Sequence, residues 1–516
     1  MPVNPLRVSE TASTNGPDDP RFATRVRNAV AWRWGSQAAS QAITWGSTLI
    51  VVRLLSPADY GLFAMTQAVV TGLAFLNGQS FATSLIQERE VDSRKIGQVF
   101  AMLLLLNGFL AAVQVLAAPW VASYYGEPAV ADILRVQAVL FLCVPFSALP
   151  SELLARRIEF RSQGLITLAC STIGGVTALL LAWLGYGVWA LVWAPIAIFV
   201  TRAMGLSWAA KVLAWPVFNF RGAGRLFAFG GALTLCQFFW IIQSQSDIVI
   251  AGRVFDTHDL GLYSEALFLT LIFTGRFLPP VNDVAFPSYA ELYKQGRSLA
   301  PAFKRTLRTV LLVTAPLYIG LSLVADAAVV TVFGPKWTEM APIVAGLAVA
   351  MPFMALQIVC SPATNAMGRP QVYVLTNAGG ALIFPLLFAW GVATGPIGLV
   401  HAWWVAAPAL MVWTLGRTLP IVGLRVRELA AELAPVLVAC AVMALAVGAV
   451  KATFTPLPPL GELALLVPIG ALFYGATLWL FWPRVLRETW AMVRQREVTA
   501  TPPVDPAHTV TESPAL

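Results

Sequence analysis

The chain has 516 residues, 58% of them hydrophobic and only 12% charged. A soluble domain carries ~25% charged residues, so this composition excludes an ordinary water-soluble domain and points to lipid. Five cysteines (Cys143, Cys170, Cys236, Cys360, Cys440) all sit in apolar runs, at spacings that fit neither a zinc site nor a disulfide framework.

The first ~27 residues are polar and lack the apolar core of a signal peptide, so 1–27 reads as a disordered cytoplasmic tail. Stretches of ~17–25 apolar residues suffice to cross a bilayer as helices. Such stretches fall near 28–52, 59–86, 97–118, 130–150, 164–184, 187–206, 226–251, 260–286, 303–326, 341–363, 371–392, 397–416, 430–450 and 462–482. They are too long for barrel strands. An all-α polytopic membrane protein of about fourteen transmembrane helices is therefore expected. Its organisation is two six-helix lobes, 28–206 and 226–417, joined by a cytoplasmic linker at 207–225. A helix pair at 428–483 and a cytoplasmic tail at 484–516 follow.

The formal charge of +8 at pH 7 follows this topology. With both termini cytoplasmic, 27 of the 34 Lys and Arg fall in cytoplasmic tails and loops and five on the opposite side. That asymmetry obeys the positive-inside rule, so the basic charge needs no nucleic-acid partner.

Span 1 carries Arg33, Gln37, Gln41, Thr44 and Thr48 on one helical face. They read as a cavity wall with Arg33 supplying positive charge, or else as a snorkelling arginine with amides that bond neighbouring helices. Span 2 adds Asn77, Ser80, Ser84 and Gln87 at helical spacing, which suits a cavity or helix packing equally. Span 7 carries Gln237, Gln243, Ser244 and Asp247; Asp247 either pairs with Arg253 or serves gating or cation coupling. Span 8 has Arg276, then Pro279-Pro280, expected to break or kink the helix, then Asp283. An ionised side chain at mid-bilayer costs ~2.5–3.5 kcal/mol on insertion scales, so Arg276 is the sharpest candidate for contact with a charged substrate. The alternative is an ion pair with Asp283 or Glu265. His401, beside Trp403 and Trp404, reads as a packed or interfacial histidine rather than a proton relay.

One phrase occurs twice, "RLLSPADYGLF" at 53–63 and "RVFDTHDLGLY" at 253–263. Arg53/Arg253, Asp59/Asp259, Gly61/Gly261 and Leu62/Leu262 coincide at an offset of 200. "YYGEP" at 124–128 and "VFGPKW" at 332–337 form a weaker second echo. Six spans separate the copies, so the repeat is parallel, about an axis along the membrane normal. Ser56 and Asp256 are placed as helix N-caps, with Asp59 and Asp259 at the capping-box position. Arg53 and Arg253 are expected to snorkel and pair with these acids.

The phrases "VVRLLSPADYGLFAM" (51–65), "FATSLIQ" (81–87), "DIVIAGRVFDTHDLGLYSEA" (247–266), "VAFPSYAEL" (284–292) and "FGPKW" (333–337) resemble bacterial polysaccharide flippases. These are the Wzx-like polysaccharide transporters of the multidrug/oligosaccharidyl-lipid/polysaccharide exporter superfamily. The resemblance covers roughly 28–420 and leaves the last two spans out. It implies a flippase of the bacterial inner membrane. Such a protein carries undecaprenyl-pyrophosphate-linked oligosaccharide between leaflets for O-antigen, capsule or exopolysaccharide, with two lobes alternating in access around a polar cavity. The implied partners are the lipid-linked oligosaccharide, membrane lipids and the polysaccharide polymerase and export machinery. Neighbouring readings are a cation-coupled drug exporter, a lipid II-type flippase, and an O-antigen polymerase or ligase. The last is disfavoured because the longest outer loop, 451–462, is short. With no Walker loop, Gly-rich dinucleotide motif or metal-ligand set, neither a cofactor nor a metal is expected.

Overall fold

A computed structural model places residues 20–78, 93–156, 160–211, 215–218, 224–453 and 457–488. Among these residues the structure is helical, with no strand. The first half contains α1 (Pro20–Leu54), α2 (Pro57–Ala74), α3 (Ser93–Tyr125), α4 (Ala129–Gln137), α5 (Val139–Arg156), α6 (Phe160–Trp183) and α7 (Trp189–Ala210). The second half contains α8 (Gly224–Val254), α9 (Thr257–Lys294), α10 (Ala300–Leu323), α11 (Ala325–Val332), α12 (Ala341–Ile358), α13 (Cys360–Ala366), α14 (Gln371–Gly391) and α15 (Pro396–Val422). A 3₁₀ turn, Pro335–Met340, joins α11 to α12. Helices α16 (Val426–Thr453) and α17 (Pro459–Phe481) complete the chain.

Ten of these segments are long and apolar enough to cross a membrane. That count covers the described residues alone: the spans expected at 28–52, 59–86 and 226–251, in α1, α2 and α8, include residues or side chains outside them, and the one expected at 260–286, in α9, interrupts its apolar run with Glu265 and Arg276. The span expected at 130–150 is divided between α4 and α5 around Ala138.

Within the first half α1 packs on α6, α6 on α7, and α5 on α7; within the second, α8 packs on α14, α12 on α15, and α10 on α12. The halves meet where α2 lies along α9 and against α8. This seam has an apolar core shared by both halves, including Val51, Tyr60, Met65, Leu260, Tyr263 and Trp337. Helices α16 and α17 pack on α10 and α11. At the far end of α10 the buried Arg308 binds Glu432 of α16 at 2.5 Å and Glu488 beyond α17 at 2.6 Å. Lys304 joins Glu432 at 3.5 Å. This network ties the trailing helices to the second half. At their other end Lys451 reaches Asp326 at 3.3 Å and Glu462 at 3.5 Å.

Candidate substrate cavity and its seal

The duplicated phrase builds the seam. Ser56 caps α2, with Asp59 returning the bond in a complete capping box. Asp256 caps α9 by accepting from the Asp259 amide at 2.8 Å. These caps fix the two helix starts side by side. The glycines then explain themselves: a Cβ on Gly61 would lie 2.7 Å from the Thr257 carbonyl carbon, and one on Gly261 would lie 2.6 Å from that of Pro57. Pro57 and Thr257 are themselves equivalent positions. Each glycine therefore receives the first turn of the other copy's helix, in a reciprocal backbone-to-backbone crossing that only a missing side chain permits.

The arginines do not pair with the capping acids as expected. Arg53 donates to the carbonyls of Thr331 and Val332 at the end of α11, in the opposite half. Arg253 donates to the carbonyls of Ser123 and Tyr124 at the end of α3, again across the seam. Helix C-termini present unpaired carbonyls and partial negative charge, which a guanidinium satisfies without an acid. The capping is returned. Trp337, fully buried, donates to Val52 O at 3.0 Å, Lys336 reaches Leu54 O at 3.3 Å, and Tyr124 Oη donates to Val249 O at 3.2 Å. Both "YYGEP" and "FGPKW" thus supply partners of the repeated arginines' helices, which spacing alone did not reveal.

Below this seal lies a cavity of ≈ 510 Å³. Helices α1, α2, α6 and α7 line it from one half and α8 and α9 from the other. Its polar wall includes Thr44, Thr48, Gln67, Ser171, Gln245 and Glu265. The stripe expected on span 1 therefore does reach a cavity through Thr44 and Thr48. Gln41, one turn further from the seal, lies against Trp45 and against Arg276 of the opposite half; with its amide turned so that the oxygen faces them, it accepts from Trp45 Nε1 at 2.7 Å and from Arg276 Nη2 at 3.3 Å. This placement brings two sequence-predicted residues together from opposite halves. Gln37 is exposed on the same helix.

Other expectations change. The ion pairs among the described residues do not join Arg276 to Asp283 or Glu265. Asp283 is exposed two turns further along α9. The Pro279-Pro280 pair does not break α9, which runs from Thr257 to Lys294. Asp247 does not meet Arg253. It is buried and bonded to the Ile248 amide at 2.8 Å and to Tyr263 Oη at 3.0 Å; Trp403 Nε1 in turn donates to Tyr263 Oη at 2.8 Å. Gln243 points away from the cavity, against Gly380 of α14, and Ser244 and Gln245 take its place in the lining. His401 is exposed, its ring 5.3 Å from that of Trp404. The Asn77 carbonyl accepts from Asn107 Nδ2 at 2.9 Å, a packing contact. Ser80, Ser84 and Gln87 lie outside the described residues, as do the side chains of Arg33 and Gln237.

Glu265, weighed in the sequence only as an ion-pair partner, is the charged residue of the cavity wall. A signal was present, since it stands eleven positions before Arg276. At ~100° per residue that spacing puts both on one helical face.

Comparison with known proteins places this architecture. The chain is 27% identical over 330 residues to the succinoglycan biosynthesis transport protein ExoT of Rhizobium meliloti (strain 1021), covering 64% of this chain and 66% of that protein. It is 24% identical over 342 residues to the teichuronic acid biosynthesis protein TuaB of Bacillus subtilis (strain 168), covering 66% and 70%. Among solved structures, the lipid II flippase MurJ in an inward closed conformation superposes with a TM-score of 0.71 at 14% identity, over 88% of this chain and 99% of that one. An inward-facing multidrug resistance MATE transporter of the MOP superfamily reaches 0.56 at 14% identity, over 74% and 95%. These likenesses establish the transporter fold. The model of the family described as "Polysaccharide biosynthesis protein" matches residues 50–342, which span the duplicated phrase, the seal and most of the cavity, and the chain belongs to that family.

Proposed function

We propose that the protein is a flippase moving an undecaprenyl-pyrophosphate-linked oligosaccharide across the bacterial cytoplasmic membrane by alternating access, for assembly of a surface polysaccharide. The carrying observation is the cavity between two helix sets, where hydroxyls and amides interrupt an apolar lining, closed at one end by the seam, with Gln41 on α1 and Arg276 on α9 lying beyond the lining residues of those helices on the side away from the seam. A polar sugar needs such a path through lipid, and a pyrophosphate needs a guanidinium near its entrance. The relatives' roles in succinoglycan transport and teichuronic acid biosynthesis support this reading. No covalent step is required, so the chain acts as a transporter rather than an enzyme. The charge asymmetry supports cytoplasmic termini and a cytoplasmic Arg276 end. Arg33, Gln37, Gln41 and Arg276 are then substrate contacts, and Asp247 and Asp283 are gating candidates.

Depletion of the protein is expected to leave lipid-linked glycan on the cytoplasmic leaflet, and Arg276→Ala to reproduce the block while inserting normally. Glycan crossing at the normal rate in the depleted strain refutes the assignment. Glu265, an acid in a cavity without Lys or Arg, is the observation that favours a second reading, an exporter of cationic drugs. Loss of drug resistance with intact glycan export selects that reading.

A further inference from the structure

We infer that Arg202 of α7 is a second phosphate-binding residue, contributed by the half that lacks Arg276, and that the two arginines together select diphosphate-linked over monophosphate-linked lipid carriers. This rests on the flippase reading and adds a specificity-determining residue to it. Leu191, Ala194, Pro195 and Ile198 of α7 line the cavity. At ~100° per residue Arg202 falls on that same face, one turn past Ile198. It points roughly 150° away from the outward face marked by the exposed Trp193, Met204 and Trp208. Its guanidinium lies within electrostatic reach of Cys170 of α6, the residue before Ser171 of the lining. Arg202 therefore belongs to the inside of the protein's first half, not to its lipid surface.

Its depth matches that of the residues already assigned. Helix α7 starts at the seam, where a Cβ on Gly187 would lie 2.7 Å from Asp59 Oδ1, so Arg202 lies on the side away from it. At 1.5 Å rise per residue Arg202 is ~6 Å past Ile198, Arg276 ~7.5 Å past Leu271 and Gln41 ~4.5 Å past Thr44. Three helices from both halves thus carry a polar group about one turn beyond the lining. Arg202 is also ~12 Å inside the end of α7 at Ala210. No hydrogen bond or ion pair among the described residues engages it. A guanidinium so placed without an acid is costly unless water or a ligand answers its charge. A diphosphate diester carries two phosphoryl groups, and each can accept two parallel bonds from one arginine fork. A monophosphate can satisfy only one of the two arginines in this way.

The test uses full-length protein in nanodiscs and three probes: undecaprenyl pyrophosphoryl glucose, undecaprenyl phosphoryl glucose and undecaprenol. Binding is read by native mass spectrometry. The wild type is expected to prefer the diphosphate over the monophosphate by about tenfold. Arg202→Gln should abolish that preference, and Arg202→Lys should keep part of it, because lysine restores the charge without the fork. Preference retained in Arg202→Gln overturns the role of Arg202 and leaves the flippase reading standing. A wild-type protein that binds neither glycolipid better than undecaprenol overturns that reading itself. Should Arg202→Gln fail to insert, arginine-selective labelling of the wild type with phenylglyoxal, read by peptide mass spectrometry, replaces it. The diphosphate glycolipid should protect Arg202, and neither the monophosphate glycolipid nor inorganic pyrophosphate should do so. Labelling of Arg202 unaffected by the diphosphate glycolipid, or blocked equally by inorganic pyrophosphate, would overturn the proposal.

Discussion

The glycine crossing yields the sharpest prediction. Gly61→Ala and Gly261→Ala each place a Cβ inside the opposing helix start, within 2.7 Å and 2.6 Å of a carbonyl carbon. The atom in the way is backbone, held by the caps at Ser56 and Asp256, so no rotamer change relieves it. Overpacking of this kind costs about 1–3 kcal/mol. If the seam opens during transport, that cost falls on the sealed conformation alone. With 1.4 kcal/mol per tenfold, one substitution shifts the balance toward the opened state by roughly 5–150-fold. The two sites touch, so the double variant should cost less than the sum. The assay introduces a cysteine at Ser47, in the cavity lining, in a chain freed of its five native cysteines. Labelling by a membrane-impermeant thiol reagent is then followed from the side of the seal. Faster labelling in both glycine variants, with normal insertion, is expected. Labelling at the wild-type rate in both would refute the claim that this crossing closes the cavity.

Two further outcomes follow from buried polar groups. Tyr263→Phe removes the hydroxyl between Asp247 and Trp403, leaving both without that partner; a loss of about 1–3 kcal/mol is expected in denaturant unfolding, because an orphaned buried polar group bears its full desolvation cost. At the other end of the molecule, the Arg308 guanidinium holds the Glu488 carboxyl below its ordinary value of 4.5. A lowered carboxylate stabilises the fold above its unfolded value and loses that contribution as pH falls through the folded one. Hydrogen exchange at 483–488, corrected for intrinsic rate, should therefore stay constant down to pH 4.5 and rise only below it; in Arg308→Ala it should be raised throughout.

The helices and the repeat were legible because they rest on apolar runs and on a coincidence at a fixed offset. The partners of the repeat were not. Arg53 and Arg253 bind backbone carbonyls, and a carbonyl leaves no letter in a sequence. Gln243 shows a different limit: one position on a helix is a rotation of ~100°, enough to exchange it for Ser244 and Gln245 in the cavity. The Gln41–Arg276 contact joins residues that each stood out as polar groups within a span, yet nothing local linked one to the other. Glu265 was readable from its spacing to Arg276 but was weighed only as a partner for that charge. A carboxylate near an arginine in sequence need not touch it when ~16 Å of helix lies between them.

The seam has the form of an isologous dimer interface, in which residue i meets j and j meets i. Gly61 meets Thr257 while Gly261 meets Pro57. Two half-length subunits with this face would pair with themselves, and a single chain makes the pairing independent of concentration. Joining them also releases each copy to change alone. Ser56 faces Asp256 as a different cap, and Phe63 stands where Tyr263 holds Asp247. Among the positions that coincide, the glycines and the arginines are those the crossing needs from both sides at once.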